Sequence, residues 1–138
     1  MQRLSPFIVL IAIAMQGCVS NPSNDYIYFP DLAHRALRGD VAALRDVLEK
    51  AGTTPPGEQL EELAEILGKA VRPFPAEFLR AQSNEQYCFG VDFLGPEYVD
   101  NEQAGQREEE LRRKALVSVA DPSLASAKQR CLAVLSGS

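Results

Sequence analysis

The chain has 138 residues, a length that suits one modest domain and is too short for two ordinary ones. It carries 19 Asp and Glu against 14 Lys and Arg, which gives a net charge of −5. Nucleic-acid phosphates repel an acidic chain, so this balance argues against a nucleic-acid partner. Net charge carries no information about the fold.

The N-terminal stretch has the pattern of an export signal. Arg3 precedes an apolar run from Leu4 to Met15, and this run is shorter than the roughly 20 residues that a membrane-spanning helix needs. Its end, Met15-Gln16-Gly17-Cys18, resembles the lipobox of bacterial lipoproteins, in which a small residue precedes an acylated cysteine. Gly17 and Cys18 carry this resemblance. An uncleaved anchor or an ordinary secretory signal is the alternative.

The lipoprotein resemblance implies a processing step and a location. Residues 1–17 would be a cleaved signal peptide, and Cys18 would carry a diacylglyceryl thioether and an N-acyl chain, which hold a protein firmly to a bilayer. Residues 18–25 would be the lipidated cysteine and a flexible tether to a domain at 26–138. Val19 stands where the family's sorting rule places Asp for inner-membrane retention. The resemblance therefore implies the periplasmic face of the outer membrane.

Two cysteines remain if lipid occupies Cys18. In an oxidising compartment, Cys88 and Cys131 are expected to form a disulfide bond. Closing a loop of about 43 residues would contribute on the order of 4 kcal/mol in the chain-entropy model. Two buried free thiols, which behave as small apolar groups, are the alternative.

The packed domain is predicted to begin at the aromatic cluster Tyr26–Phe29. Asp31 follows as the expected N-cap of a first helix. Apolar residues recur at helical spacing before and after a turn at Gly39-Asp40, which predicts an antiparallel helix pair over 31–52. This stretch resembles a single ankyrin-repeat helix pair. An ordinary helical hairpin is the alternative.

A third helix is predicted to begin near Pro55, because proline is tolerated in a first helical turn. Its apolar stripe comprises Leu60, Leu63, Ala64, Leu67 and Val71. Three acids off the stripe are predicted to form a solvated face: Glu61, Glu62 and Glu65. Glu65 and Lys69 are expected to pair at i,i+4. Two prolines end this helix, and a short fourth helix is predicted over 76–82.

Residues 83–106, here called the acidic aromatic segment, are the least helical part of the sequence. No Lys or Arg occurs between Arg80 and Arg107, while acids alternate with aromatic residues. We expect a short helix or turn over 85–94, followed by a loop.

This composition is typical of a protein-binding surface, since aromatic anchors supply hot spots and surrounding charge steers a partner. The residues predicted to contact a partner are Tyr87, Asp92, Phe93, Glu97, Tyr98 and Asp100. The alternative is that Tyr87, Phe89 and Phe93 fill the core while the acids face solvent.

The C-terminal part predicts two further helices. In the first, over 108–119, three acids each precede a base at i,i+4: Glu108 and Arg112, Glu109 and Arg113, and Glu110 and Lys114. Its inward residues are predicted to be Leu111, Ala115 and Val119. Asp121 is the expected N-cap of the last helix, with Pro122 at its first position. The buried face of that helix is predicted to comprise Leu124, Ala127, Cys131 and Leu135.

These patterns together predict a small all-α domain of about five or six helices packed as antiparallel hairpins.

The sequence signatures of an enzyme are weak. His34, the single histidine, is expected to be a capping or surface group, because nucleophilic catalysis needs further partners. Zinc needs about four N or S ligands, more than this chain supplies, and glycine-rich phosphate loops are absent from the sequence. We therefore predict no enzyme activity, no cofactor and no metal.

Carboxylate chemistry is the remaining enzymatic alternative. Glu97 and Asp100 offer the paired acids of a glycan hydrolase, but the chain has no Trp to stack sugar rings. A calcium site would use similar oxygens, yet the acid spacing does not match an EF-hand loop.

We expect instead a non-catalytic module with an unidentified protein partner in the envelope. It would act as an immunity protein against a periplasmic toxin, or as an envelope structural or assembly lipoprotein.

Overall fold

A computed structural model of the chain describes residues 26–137. In that range six α-helices and no strands form one domain, which confirms the predicted all-α fold. The helices are α1 (Pro30–Ala36), α2 (Val41–Thr53), α3 (Glu58–Ala70), α4 (Pro75–Gln82), α5 (Glu102–Val117) and α6 (Ala125–Ser136). Pro96–Tyr98 and Pro122–Leu124 form short 3₁₀ helices. The predicted signal peptide, the lipid site at Cys18 and the tether lie outside the described residues.

Helix α2 is central, because it packs against α1, α3 and α4. The predicted turn between α1 and α2 is present: Gly39 has φ +82°, and the Asp40 side chain accepts a hydrogen bond from the Ala43 N–H at 3.2 Å. A side chain at Gly39 would collide with the ring of Phe74. Glycine therefore permits both the left-handed backbone and the close approach.

Two helix starts differ from prediction. Phe29 rather than Asp31 occupies the N-cap of α1, and Pro30 is the first helical residue, where its fixed φ and missing N–H are favourable. Helix α3 begins at Glu58 after Gly57, so Pro55 precedes the helix instead of lying in its first turn. Gly57 is the N-cap residue of α3 and has φ +149°, a backbone conformation that favours glycine.

Helix α5 is longer than predicted and buries a different face. It begins at Glu102, with the Asn101 side chain accepting from the Ala104 N–H at 3.0 Å. The buried residues are Gly105, Glu108, Arg112 and Leu116, whereas the predicted inward residues Leu111 and Ala115 are only half-buried. The prediction was wrong because the rule of apolar periodicity assigns charged residues to solvent. Val119 is buried, as predicted.

The ion pairs of α5 agree only in part with the predicted ladder. Arg112 pairs with Glu108 at 3.2 Å, at the expected i,i+4 spacing. Arg113 instead contacts Glu110 at i,i+3, at 2.6 Å, and its guanidinium also donates to the Leu135 carbonyl of α6 at 3.0 Å. Arg113 is thus drawn toward α6 and away from the predicted partner Glu109.

The C-terminal helix buries the predicted face but begins later than predicted, because Pro122–Leu124 forms a 3₁₀ turn and α6 begins at Ala125 with Leu124 as its N-cap. Asp121 caps the 3₁₀ turn that leads into α6, and hydrogen bonds from Ser123 lower the pKa of the Asp121 carboxyl. The predicted inner face is buried: Leu124, Ala127, Cys131 and Leu135. The sulfurs of Cys88 and Cys131 lie 2.11 Å apart, as in the expected disulfide bond. This bond connects the acidic aromatic segment to α6.

Candidate functional site

A buried carboxylate fixes the N-terminal edge of the domain. Glu62 of α3 accepts three successive backbone hydrogen bonds, from the N–H groups of Ile27 at 2.7 Å, Tyr28 at 2.9 Å and Phe29 at 2.8 Å. Glu62 is buried, so the prediction that it belongs to a solvated face was wrong. Hydrogen bonds to a charged acceptor are stronger than neutral ones. They hold residues 27–29 against α3.

Tyr28 makes a second link to α3. Its hydroxyl donates to the Glu58 carboxylate at 2.6 Å. This hydrogen bond, together with the negative charge of Glu58, raises the pKa of the Tyr28 phenol. The exposed side chain of Tyr28 is therefore held in place above the first turn of α3.

A row of acids runs along one face of α3. Glu58, Glu61, Glu62 and Glu65 stand at i, i+3, i+4 and i+7, so they are stacked on the same side of the helix. Only Glu65 has a cationic partner among residues 26–137, the Lys69 ammonium at 2.7 Å. Burial opposes ionisation of Lys69, but the hydrogen bond and charge of Glu65, with Tyr26, outweigh it and raise the Lys69 pKa.

Residues 93–99 of the acidic aromatic segment face this row, and Arg112 holds the start of that stretch. The Arg112 side chain is 2% exposed, and its guanidinium donates to the carbonyls of Val91 at 3.0 Å and Phe93 at 2.6 Å. Glu108 balances its charge at 3.2 Å and is bridged in turn to Arg72 at 2.8 Å. A buried charge needs such partners to be tolerated. The irregular segment is thus attached to α5 by ionic hydrogen bonds.

Gly68 allows α3 to approach the same segment. A side chain at this position would collide with the Phe93 carbonyl and the Arg112 guanidinium. The close approach brings the Phe93 backbone directly against α3.

An open groove of about 530 Å³ separates the acidic row from residues 93–99. Its lining comprises Ile27, Tyr28, Glu58, Glu61, Glu62, Glu65, Phe93, Leu94, Pro96 and Val99. Ile27 is 82% exposed and Val99 is 79% exposed, although each is an aliphatic side chain. We call this feature the acidic-apolar groove. A concave surface with exposed apolar residues and a few charges is the usual form of a binding site.

The predicted partner-binding residues do not form one surface. Phe93 lines the acidic-apolar groove, and Glu97 and Tyr98 lie on the 3₁₀ helix at its edge. Burial raises the pKa of the Tyr98 phenol, with further contributions from the charges of Glu108 and Glu97. Asp92 and Asp100 are exposed.

Tyr87 lies at a different place. It is 77% exposed and borders a separate groove of about 390 Å³ with Leu48, Ala51 and Phe89. The alternative that Tyr87 fills the core is therefore wrong, whereas Phe89 and Phe93 are half-buried.

Sequence reasoning missed one entire wall of the groove. Glu61, Glu62 and Glu65 of α3 were recognised as a charged face, but they were predicted to face solvent and not to form one wall of a groove. Ile27 and Val99 gave no such signal, because single aliphatic residues in polar loops are common. The hydrogen bond from its N–H to Glu62 holds Ile27 against α3, and Arg112 holds the Phe93 carbonyl at the start of the stretch that contains Val99.

No protein-family model, curated protein or solved structure matches the chain.

Between residues 26 and 137, no three His, Cys, Asp or Glu side chains are placed to hold a metal ion. In the same range, every helix is too short or too polar to cross a bilayer. His34 is half-buried on α1, and Cys88 and Cys131 are bonded to each other.

Proposed function

We propose that this chain is a lipid-anchored periplasmic protein that acts without catalysis as a protein-interaction module. The acidic-apolar groove is the contact surface. The observation that carries this proposal is the exposure of Ile27 and Val99 at a groove rather than on flat surface. Exposed aliphatic side chains gain free energy when a partner covers them, at roughly 25 cal/mol per Å² of apolar area buried.

The anchor is proposed from the sequence Gly17-Cys18 after an apolar run. Replacing Cys18 with Ser is expected to abolish palmitate labelling and to release the protein from the membrane fraction. The measurement is metabolic labelling followed by membrane fractionation. Unchanged labelling of the Cys18→Ser protein would contradict the proposed lipid attachment.

The groove is tested by affinity purification from envelope extracts with two matched variants. Val99→Lys places a positive charge in the groove and removes an apolar contact, and Val117→Lys places the same charge on α5 at a residue that is also exposed but does not line the groove. We expect Val99→Lys to lose a partner that the wild-type protein and Val117→Lys retain. Identical partner lists from the two variants would refute the groove as a contact surface.

The identity of the captured protein distinguishes two versions of the proposal. A secreted toxin would make this chain an immunity protein, in which acidity and small size suit the neutralisation of a periplasmic toxin. An envelope assembly protein would make it a structural lipoprotein. The genes adjacent to the coding sequence give an independent indication of which version applies.

A further inference from the structure

We infer that the acidic-apolar groove accepts a cationic amphipathic helix of the partner protein, with its basic side chains toward α3 and its apolar side chains toward residues 93–99. This inference rests on the proposed function and specifies the chemistry of the partner. It depends on three properties of the groove, namely charge, apolar lining and helical spacing.

Three of the four carboxylates that line the groove have no ion pair within residues 26–137, whereas Glu65 is paired with Lys69 at 2.7 Å. Glu58 receives a hydroxyl hydrogen bond and Glu62 receives backbone hydrogen bonds, but neither contacts a Lys or Arg in the described part of the chain. Glu61 is exposed and also has no ion pair there. The side chains that line the groove include four carboxylates and no cation. The complementary ligand is therefore positively charged, since like charges placed opposite each other are unfavourable.

The opposite wall is apolar. Phe93 and Leu94 are half-buried, while Pro96 and Val99 are exposed at the groove edge. A purely cationic ligand, such as a polyamine, would leave this wall uncovered. A segment with basic residues on one side and aliphatic residues on the other covers both walls. It also excludes water from the ion pairs between its basic residues and the groove carboxylates, which would otherwise be weak at the surface.

The spacing of the acids favours a helical ligand. Glu65 stands seven positions after Glu58 in α3, so the row extends along about two helical turns, or roughly 10 Å. A helix lying alongside α3 has the same rise per residue and presents Lys or Arg at matching intervals. Residues 26–137 contain no strand, so there is no sheet edge in that range to which an extended peptide could add a strand.

The inference is tested with the full mature chain in detergent and labelled synthetic peptides. The probe is a Lys/Leu peptide of about 18 residues, long enough to form a helix alone, with Lys on one face and Leu on the adjacent face. One control has the same composition with the amphipathic order scrambled. The second control carries Glu in place of Lys. Binding is measured by fluorescence anisotropy at low and high salt.

We expect the amphipathic Lys/Leu peptide to bind about tenfold more tightly than either control, with affinity falling as salt rises. The double variant Glu58→Gln/Glu61→Gln should weaken binding several-fold. The matched variant Glu49→Gln/Glu109→Gln, which removes the same charge outside the groove, should bind as the wild type does.

Three results would overturn the inference: equal binding of the scrambled peptide, equal binding of the Glu peptide, or equal loss in both double variants. If one of these results were found and Val99→Lys still lost its natural partner, the chain would remain an interaction module, but its partner would not be a cationic amphipathic helix. Retention of that partner by Val99→Lys would instead refute the proposed function.

Discussion

At the scale of single residues, Glu62 has the most consequential position. Its carboxylate accepts hydrogen bonds from three consecutive backbone N–H groups that have no partner in a helix or sheet. Buried N–H groups without partners are costly. Glu62 therefore determines where residues 27–29 lie, and with them Ile27 and Tyr28 of the groove wall.

Glu62→Gln should lower the free energy of unfolding by about 2–3 kcal/mol, because an amide oxygen is a weaker acceptor and the amide N–H₂ faces other donors. Glu61→Gln, a change at the exposed neighbouring position, should stay within about 0.5 kcal/mol of the wild type. Urea unfolding gives both values. Hydrogen exchange should show faster exchange at the amides of 27–29 in Glu62→Gln alone. Equal stability and equal exchange in the two variants would show that the carboxylate does not fix this segment.

The Tyr28–Glu58 hydrogen bond predicts a dependence on alkaline pH. The pKa of Tyr28 is raised in the folded state, above the ordinary value of about 10. Its contribution to stability is therefore complete below pH 10 and is lost as the pH rises through the folded-state pKa. The stability difference between wild type and Tyr28→Phe should be constant from neutral pH to about 10 and then shrink. A difference that does not change with pH would contradict this assignment.

At the scale of elements, α5 is stabilised by a buried ionic cluster as well as by apolar packing. Arg112 and Glu108 face the interior, and Arg112 reaches the carbonyls of the acidic aromatic segment. This helix thereby orders residues 91–93, which have no regular structure of their own. The Cys88–Cys131 bond fixes the same segment to α6.

Arg112→Met should cost about 3–5 kcal/mol, since it leaves Glu108 buried with a reduced set of partners and leaves two carbonyls unpaired. Arg107→Met, at an exposed position of the same helix, should have little effect. Thermal unfolding monitored by circular dichroism measures both changes. Equal unfolding temperatures of the two variants would show that the buried ionic cluster does not hold the acidic aromatic segment to α5.

The same helix shows what sequence patterns can and cannot predict. The helix pair α1–α2, the inner face of α6 and the cysteine pair followed from local turn residues, apolar spacing and cysteine number. The inner face of α5 did not, because Arg112 is buried by its contacts with carbonyls about 20 residues away. For the candidate site, Phe93 was identified from its aromatic and acidic neighbours. The α3 wall was missed because Glu62 is buried through hydrogen bonds from backbone N–H groups of residues 27–29, which are more than 30 positions earlier in the sequence.

At the scale of the whole molecule, the proposed lipid anchor and the groove are close in the chain. Ile27 lies 27 − 18 = 9 residues after Cys18, and nine extended residues span at most about 30 Å. A lipid on Cys18 would therefore keep the groove near the membrane surface. Partners exposing a cationic helix close to the bilayer would meet it at high local concentration.

Site-specific crosslinking tests the central claim most directly. A photo-reactive amino acid replaces Val99 in the groove or Val117 outside it, in cells that express the chain naturally, and crosslinked products are identified by mass spectrometry. We expect position 99 to crosslink to a discrete protein through a segment rich in Lys or Arg and apolar residues, whereas position 117 does not. Crosslinks from position 117 to the same segment, or none from position 99, would contradict the groove as the contact surface for a cationic partner.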